Sequence, residues 1–382
     1  MAASVTMTNN SPVLIAAGGT GGHLFAAEAL AHALARRATP VHLVTDDRAA
    51  KYGGAFPADA VHVIKAATPT GGNPFARGWA VMTLVGGTTS ARALLRRIKP
   101  RVVIGFGGYP TVPPLLAATM LGIPSIVHEQ NAVLGRANRL LARRVRRVAT
   151  GFPTLGRLDP KLKPKCVETG NPVRPAVLDA ARSPYPGLTH GRFWLLVVGG
   201  SQGARVMSDV VPPAIEALPA EARARLMVVQ QARGEDEHRV RETYARLGVE
   251  AEIAPFFSDL PRRMAEAHLV IARAGASTVS ELAAIGRPAI LVPYPHALDQ
   301  DQSANAAHLA ATGAVDVIAQ SSFTPDYLAG KLADALANPE NLTKRAAAAK
   351  QAGIPDAADR LADLVLEVAG RARAESLDEA AD

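Results

Sequence analysis

Three glycine-rich turns in this chain stand where an apolar run gives way to a helical pattern. They are Gly18-Gly19-Thr20-Gly21-Gly22-His23, Gly199-Gly200-Ser201-Gln202-Gly203-Ala204, and the turn around Gly275 that leads into Ala276-Ser277-Thr278. Such a turn aims the first backbone amides of the helix outward, and the helix dipole adds positive character there, which is chemistry for a phosphate. In the third turn Thr278-Val279-Ser280-Glu281 also has the spacing of a capping box, with Thr278 as the cap and Glu281 reaching back to a free amide. The first turn is not a full dinucleotide fingerprint, because Leu24 stands where the third glycine belongs. No Gly-Lys-Ser/Thr follows it, so it is not a Walker loop either. A fourth polar group, His128-Glu129-Gln130-Asn131, closes the apolar run Ser125–Val127. Polar residues at a strand's carboxyl end are informative, since open α/β sheets bind ligands there.

These groups need strands to carry them. Val13–Ala17 reads as a buried strand, and Val41–Thr45, Val61–Ile64, Val102–Phe106 and Ser125–Val127 read as strands in the first part of the chain. Trp194–Val198, Leu226–Gln230, Ala251–Ala254, Leu269–Ala272 and Ala289–Pro293 do so in the second. Helical patterns lie between them, so the fold class is α/β, with two Rossmann-like, doubly wound parallel sheets whose duplication implies two halves facing a cleft. Prolines and glycines crowd the stretch from Gly151 to Gly191, where the halves meet. The expected division is 1–172, then 173–352, then a helix over 353–370 that returns to the first domain. The acid- and alanine-rich tail, 371–382, has little to bury and is expected to fray.

Composition narrows the function classes. With 382 residues, 48% of them hydrophobic and 20% charged, the chain is ordinary globular protein too long for one core. The single cysteine, Cys166, excludes a disulfide framework and a cysteine zinc cluster, and no other metal-ligand cluster is visible. Val13–Ala17 is too short for a signal core or a membrane span, so the cytosolic side is expected. A formal charge of +8 asks for an anionic partner: nucleic acid, a phosphorylated substrate or an anionic lipid surface. Aromatic residues make up only 4%, which weakens base stacking on single strands, and no nucleic-acid motif is present. The segment Gly71 to Lys99 sets Phe75, Trp79, Met82, Leu84 and Val85 among Arg77, Arg92, Arg96, Arg97 and Lys99. It suits a core-facing helix with a basic outer face, or a membrane interface. Arg136, Arg139, Arg143, Arg144, Arg146 and Arg147 read as a solvated helix face that adds to the anionic-surface case.

Taken in order, GGTGGH (Gly18–His23), GFGGYPTVP (Gly105–Pro113), HEQN (His128–Asn131), GNPVR (Gly170–Arg174), GGSQGA (Gly199–Ala204), RAGASTVSE (Arg273–Glu281) and the Gln302–Asn305 loop resemble one family. It is that of the peptidoglycan N-acetylglucosaminyltransferases converting lipid I to lipid II, which have the two-domain GT-B fold. The resemblance runs from about Val13 to about Leu366. It implies a C-terminal half that binds UDP-N-acetylglucosamine and an N-terminal half that receives an undecaprenyl-pyrophosphoryl muramyl pentapeptide. It further implies a peripheral place on the cytoplasmic face of the bacterial inner membrane, beside other cell-wall synthesis proteins, and no cofactor.

By the same resemblance Ser201, the helix start after Gly203 and Arg174 hold the diphosphate. Ala276, Ser277 and Thr278 line the donor, Glu281 takes the ribose hydroxyls, and Gln302 the sugar hydroxyls. Phe257 falls where the uracil-contacting backbone lies, while Thr20, Gly21, Gly22 and Asn131 close over the donor. Ala26 replaces a proline common in the family and is expected to alter the helix start. Inverting transfer needs a base for the acceptor 4-hydroxyl; His23 is the first candidate and Glu129 the second, against a structural role for His23 in its own loop. Arg174 and backbone amides suffice for the leaving-group charge without a metal. Another UDP-sugar transferase with a lipid or small-molecule acceptor is the nearest alternative. An NAD-dependent oxidoreductase is the alternative from another class, disfavoured by the incomplete fingerprint.

Overall fold

The computed structural model describes residues 11–18, 21–46, 56–64, 74–188, 191–201, 203–297 and 300–378, with backbone alone at 74–81 and 372–378. The chain divides into two compact units, Met1–Arg174 with Asp356–Asp382, and Pro175–Pro355.

In the first unit the apolar runs become strands β1 (Val13–Ala16), β2 (Val41–Thr45), β3 (Ala60–Val63), β4 (Val102–Gly105), β5 (Ser125–Glu129), β6 (Arg147–Thr150) and β7 (Cys166–Glu168). They form one parallel sheet in the order β3-β2-β1-β4-β5-β6-β7. Between them run α1 (Gly21–Ala35), α2 (Pro74–Ile98), α3 (Val112–Met120) and α4 (Arg136–Leu141). Side chains alternate across a strand, so Val13 and Ile15 enter the core beneath α1 while Leu14 and Ala16 enter the one that contains Leu95 of α2, Leu115 of α3 and Leu141 of α4. Away from the edge strand β3, whose Val61 and Val63 are exposed, the sheet is apolar on both faces because both are covered, as a parallel sheet requires.

The second unit opens with α5 (Pro175–Ala180) and continues through β8 (Phe193–Val198), α6 (Arg205–Glu216), α7 (Ala220–Arg223), β9 (Leu226–Gln231), α8 (Gly234–Arg246), β10 (Glu250–Ala254), α9 (Leu260–Glu266), β11 (Leu269–Ala272), α10 (Ala276–Ile285), β12 (Ala289–Leu291), α11 (Asp301–Ala310), β13 (Val315–Val317), α12 (Pro325–Ala337) and α13 (Pro339–Ala352). Its sheet is also parallel, ordered β10-β9-β8-β11-β12-β13. Met207 and Val211 of α6, Val240 and Tyr244 of α8 and Leu328 and Leu332 of α12 fill the core on one face. On the other side α10 contacts α5, α11 and α13.

The last helix, α14 (Ala357–Asp378), belongs to the first unit. Leu361, Ala362 and Val365 are fully buried against α1 and the first sheet. Burying one such leucine or valine is worth roughly 1.5–3 kcal/mol. Arg36 and Arg37, in the turn just after α1, add ion pairs to Asp359, at 2.9 and 2.8 Å.

Several expectations change. The arginine-rich stretch is not one solvated helix: α4 ends at Leu141, Arg146 lies in a turn, and Arg147 opens β6. The strands β7 and β13 are three residues each, too short for a periodic signal against their polar neighbours. The tail stays helical to Asp378 rather than fraying after Gly370, since Arg, Ala and Glu are strong helix formers and Arg371 pairs with Glu367 at 2.8 Å. Ala26 lies inside α1, which begins at Gly21, so a proline there would break the ladder it now joins.

Candidate functional site

In both sheets the strand order reverses direction at the centre, beside β1 and β4 in one unit and β8 and β11 in the other. Ligands of doubly wound sheets bind beyond the carboxyl ends at that point. The polar motifs fall there. Ala16, Val44 and Gly105 end level with one another in the first sheet, as do Ala272, Val198 and Leu291 in the second.

In the first unit Gly21 and Gly22 open α1, with His23 in its first turn; Thr20 lies outside the described residues. His23 is half-buried under the turn after β4. There Gly107 and Gly108 adopt φ of 86° and 72°, a backbone that side chains rarely tolerate. A first side-chain atom on Gly107 would stand 3.4 Å from both His23 Nε2 and the Asn138 amide nitrogen. The glycines therefore let the loop lie directly on these two groups. Burial lowers the His23 pKa to about 4, so its imidazole is neutral at physiological pH. His128, fully buried on β5, is likewise drawn down to about 4 by burial, against the opposing effect of its 3.1 Å hydrogen bond to the Gly170 carbonyl.

Glu129, 2% exposed, is a hub. One carboxylate oxygen accepts from the Asn131 backbone amide at 3.0 Å and from its side-chain amide at 3.2 Å. The other accepts from the Gly135 backbone amide and the Asn138 side-chain amide, both at 2.9 Å. Burial raises its pKa, opposed by these donors, and all four partners suit the ionised form. A carboxylate so engaged holds the loop between β5 and α4 in place. Asn131 is half-buried with its amide turned to Glu129. Arg174 closes the first unit instead of opening the second domain. Its guanidinium stacks 3.8 Å from the centroid of the Phe25 ring on α1.

In the second unit Ser201 is exposed in the turn after β8, and α6 starts without a side-chain cap. The turn is anchored from the end of β9 and the start of α8: the Gly199 amide donates to Gln231 Oε1 at 2.9 Å, and Arg233 donates to the Gly203 carbonyl at 3.2 Å. A side chain at Gly199 would collide with the Ala204 amide, 2.1 Å from its first atom. The capping-box reading of α10 fails: Gly275 is the N-cap, no side chain caps the helix, and Thr278 stands within its first turn. Glycine permits the extended entry, which places the N-cap three residues before Thr278. Ala276 is buried, Ser277 and Thr278 are half-buried, and Glu281 is 6% exposed. Gln302 accepts from the Tyr294 amide at 2.9 Å, which ties the loop after β12 to the start of α11. Phe257 is buried under the Arg263 guanidinium, 4.5 Å from its ring centroid, beside Phe256, which is 66% exposed.

Sequence reading missed Asn138, Gln231 and Phe256. Gln231 could have been found, since a polar residue ending an apolar strand is the signal that exposed His128-Glu129. Asn138 was hidden among arginines and leucines on a helix too short to show a face.

Two tandem parallel sheets with glycine-led helix starts at their switch points define a nucleotide- or phosphate-binding protein of two Rossmann-like halves. The N-terminal domain of glycosyltransferase family 28 matches residues 13–150 and the C-terminal domain of that family matches 194–361, so the chain belongs to glycosyltransferase family 28. It is 55% identical over 364 residues to a Brucella suis protein, covering 95% of this chain and 96% of that one. A Rhizobium rhizogenes protein is 56% identical over 361 residues, covering 94% and 96%. Both relatives are named UDP-N-acetylglucosamine–N-acetylmuramyl-(pentapeptide) pyrophosphoryl-undecaprenol N-acetylglucosamine transferase. The crystal structure of Acinetobacter baumannii MurG superposes with a TM-score of 0.75 at 31% identity, covering 94% of this chain and 99% of that one. The fold is therefore GT-B.

Proposed function

We propose that this chain transfers N-acetylglucosamine from UDP-N-acetylglucosamine to the 4-hydroxyl of the muramyl sugar of undecaprenyl-pyrophosphoryl-MurNAc-pentapeptide, forming lipid II from lipid I with inversion. The observation that carries the reading is the likeness of both halves, over nearly the whole chain, to relatives named for this reaction. The acceptor oxygen bonds to the anomeric carbon, the bond from that carbon to the UDP oxygen breaks, and the hydroxyl proton passes to the neutral His23 imidazole. The amides opening α6 and α10, with Ser201 and Arg174, take the charge developing on UDP. Glu281 meets the ribose and the Gln302 amide nitrogen the sugar hydroxyls. Exposed Phe256 offers a face to the base. Thr20, Gly21, Gly22 and Asn131 serve the first unit's side of the reaction. The direct test is to incubate the protein with labelled UDP-N-acetylglucosamine and a lipid I analogue. Label appearing in a lipid-linked disaccharide supports the reading, and label released only by hydrolysis or not at all overturns it.

Donor affinity is assigned to the unit Pro175–Pro355. Glu281→Gln is expected to weaken UDP about tenfold or more in calorimetry while leaving uracil nearly unchanged, because a charged hydrogen bond to ribose is lost. Equal weakening of both ligands, or a loss of helical circular dichroism, counts against the ribose role.

Among the described residues no helix is long and apolar enough to cross a membrane. A lipid-linked acceptor still demands a membrane-facing surface, and the three helices on one face of the first sheet supply candidates. Met82 and Val85 of α2 are 72% and 59% exposed, Met120 of α3 60% and Leu140 of α4 46%, near exposed Arg139, Arg143 and Arg144. Phe75 and Trp79 lie on the first turns of α2, with side chains outside the described residues. Peripheral binding to an anionic leaflet follows, each arginine adding about 1 kcal/mol that fades with salt. Met82→Ser with Val85→Ser should cut sedimentation with anionic vesicles several-fold; unchanged sedimentation of the folded variant removes this face from consideration.

A further inference from the structure

Arg287 is 1% exposed and, among the described residues, pairs with no carboxylate. Its guanidinium donates instead to backbone carbonyls: Ala265 at the end of α9, Ile285 and Gly286 at the end of α10, and Ser183 and Pro184 in the segment leading from α5, at 2.6–3.5 Å. Lys350 of α13 does the same from the other side, donating to Ala284 at 2.8 Å and Ala181 at 2.6 Å. Carbonyls of a last helical turn have no partner inside their own helix and carry its negative dipole end, so two cations are well matched to them. Each cation also grips the segment 181–184, and the end of α10 is thereby sewn to it. Glycines close the seat. A side chain at Gly353 would meet the Ala283 carbonyl at 2.7 Å, and one at Gly286 (φ 78°) would meet Lys350 Cβ at 2.9 Å.

At the opposite end of α10 the N-cap is Gly275 and no side chain caps the helix; the residues leading into it are held by Arg273, which donates to the Val292 and Pro293 carbonyls, and by Asn305, which donates to the Ala274 carbonyl at 3.3 Å. The ten residues of α10 span about 14 Å, so a tilt of about 5° at the sewn end displaces the first amides by about 1 Å. Displacement of that size is enough to spoil ligand alignment. We infer that Arg287, seconded by Lys350, is a positioning residue for the donor: it sets the orientation of α10 from the far end, and so places the amides of Ala276–Thr278 and the Glu281 carboxylate. The inference rests on the reading of α10 as donor-binding.

The test compares Arg287→Met, Arg287→Lys and Lys350→Met in the full chain, well below each variant's Tm. Val240→Ala, a cavity in the core beneath α8, serves as a purely structural control. Arg287→Met is expected to raise the Kd for UDP and the KM for UDP-N-acetylglucosamine about tenfold, with kcat at saturating donor within about twofold. Arg287→Lys should recover part of the loss, and Val240→Ala should lower Tm without moving KM. If Arg287→Met does not fold, Lys350→Met carries the comparison with the same direction of effect. Folded variants that bind UDP like the parent, while Glu281→Gln weakens it, overturn the positioning role. If Glu281→Gln also leaves UDP binding unchanged, the donor-site reading falls and takes this inference with it.

Discussion

His23→Ala is expected to lower kcat by about 10²–10⁴-fold, the usual worth of a positioned general base, while UDP affinity stays within about twofold. The imidazole lies in the first turn of α1 under Gly107 and Gly108, at the carboxyl end of the first sheet, whereas the turns proposed to bind the donor belong to the second unit. Its pKa, lowered by burial from 6.5 to about 4, fixes the shape of the pH profile. A base works deprotonated, so kcat/KM should stay level from pH 8 to below 6 and fall only as pH approaches 4. An ordinary histidine would already fail near 6.5. The unfolded chain binds more protons than the folded one between pH 6.5 and 4 at both His23 and His128, so stability also declines there, by up to about 1.4 kcal/mol per pH unit for each histidine. Preincubation at the acid pH followed by assay at neutrality separates reversible titration from unfolding. An acid limb centred near 6.5, or a His23→Ala enzyme with near-normal kcat, removes His23 from proton transfer.

Glu129→Gln should cost about 3 kcal/mol of stability and lower Tm by about 6–12 °C. The two backbone donors on this carboxylate, from Asn131 and Gly135, sit on opposite oxygens and cannot turn away. A glutamine offers one oxygen and one amide nitrogen, so either orientation sets a nitrogen against a buried N–H. Asn138 can rotate its amide to adapt, but the Gly135 backbone cannot. Activity is expected to fall with the distortion, because Asn138 and His23 flank the same glycine. A variant with unchanged Tm but collapsed kcat would instead make Glu129 the proton acceptor and displace His23.

Nearly every long strand was legible in the sequence, because a buried parallel strand is a continuous apolar run and the glycine turns punctuate it. The turns at Gly18, Gly199 and Gly275 also marked where helices start at strand ends, as α1, α6 and α10 do. Short elements were not legible: β7 and β13 are held by their neighbours rather than by their own composition. The Thr278–Glu281 spacing misled for a related reason. A four-residue cap pattern is local, while the start of α10 is decided by where β11 ends and Gly275 can turn. Role assignments within HEQN needed coordinates, because a carboxylate that organises a loop and one that accepts a proton look the same as letters.

The placement of α14 has a consequence for synthesis. Its buried leucines and valines complete a core whose other parts, in β1, β2, β4 and α1, leave the ribosome before the whole of Pro175–Pro355. At about 5–20 residues per second, that gap lasts on the order of ten seconds or more. Throughout it Leu30 and Leu34 of α1 lack the helix that covers them, and the nascent first unit presents an apolar groove. The second unit is continuous in sequence and can close first. Translation order thus runs against the order in which the two units reach their final packing, and apolar surface left uncovered in the interval is the general condition under which nascent chains misassemble.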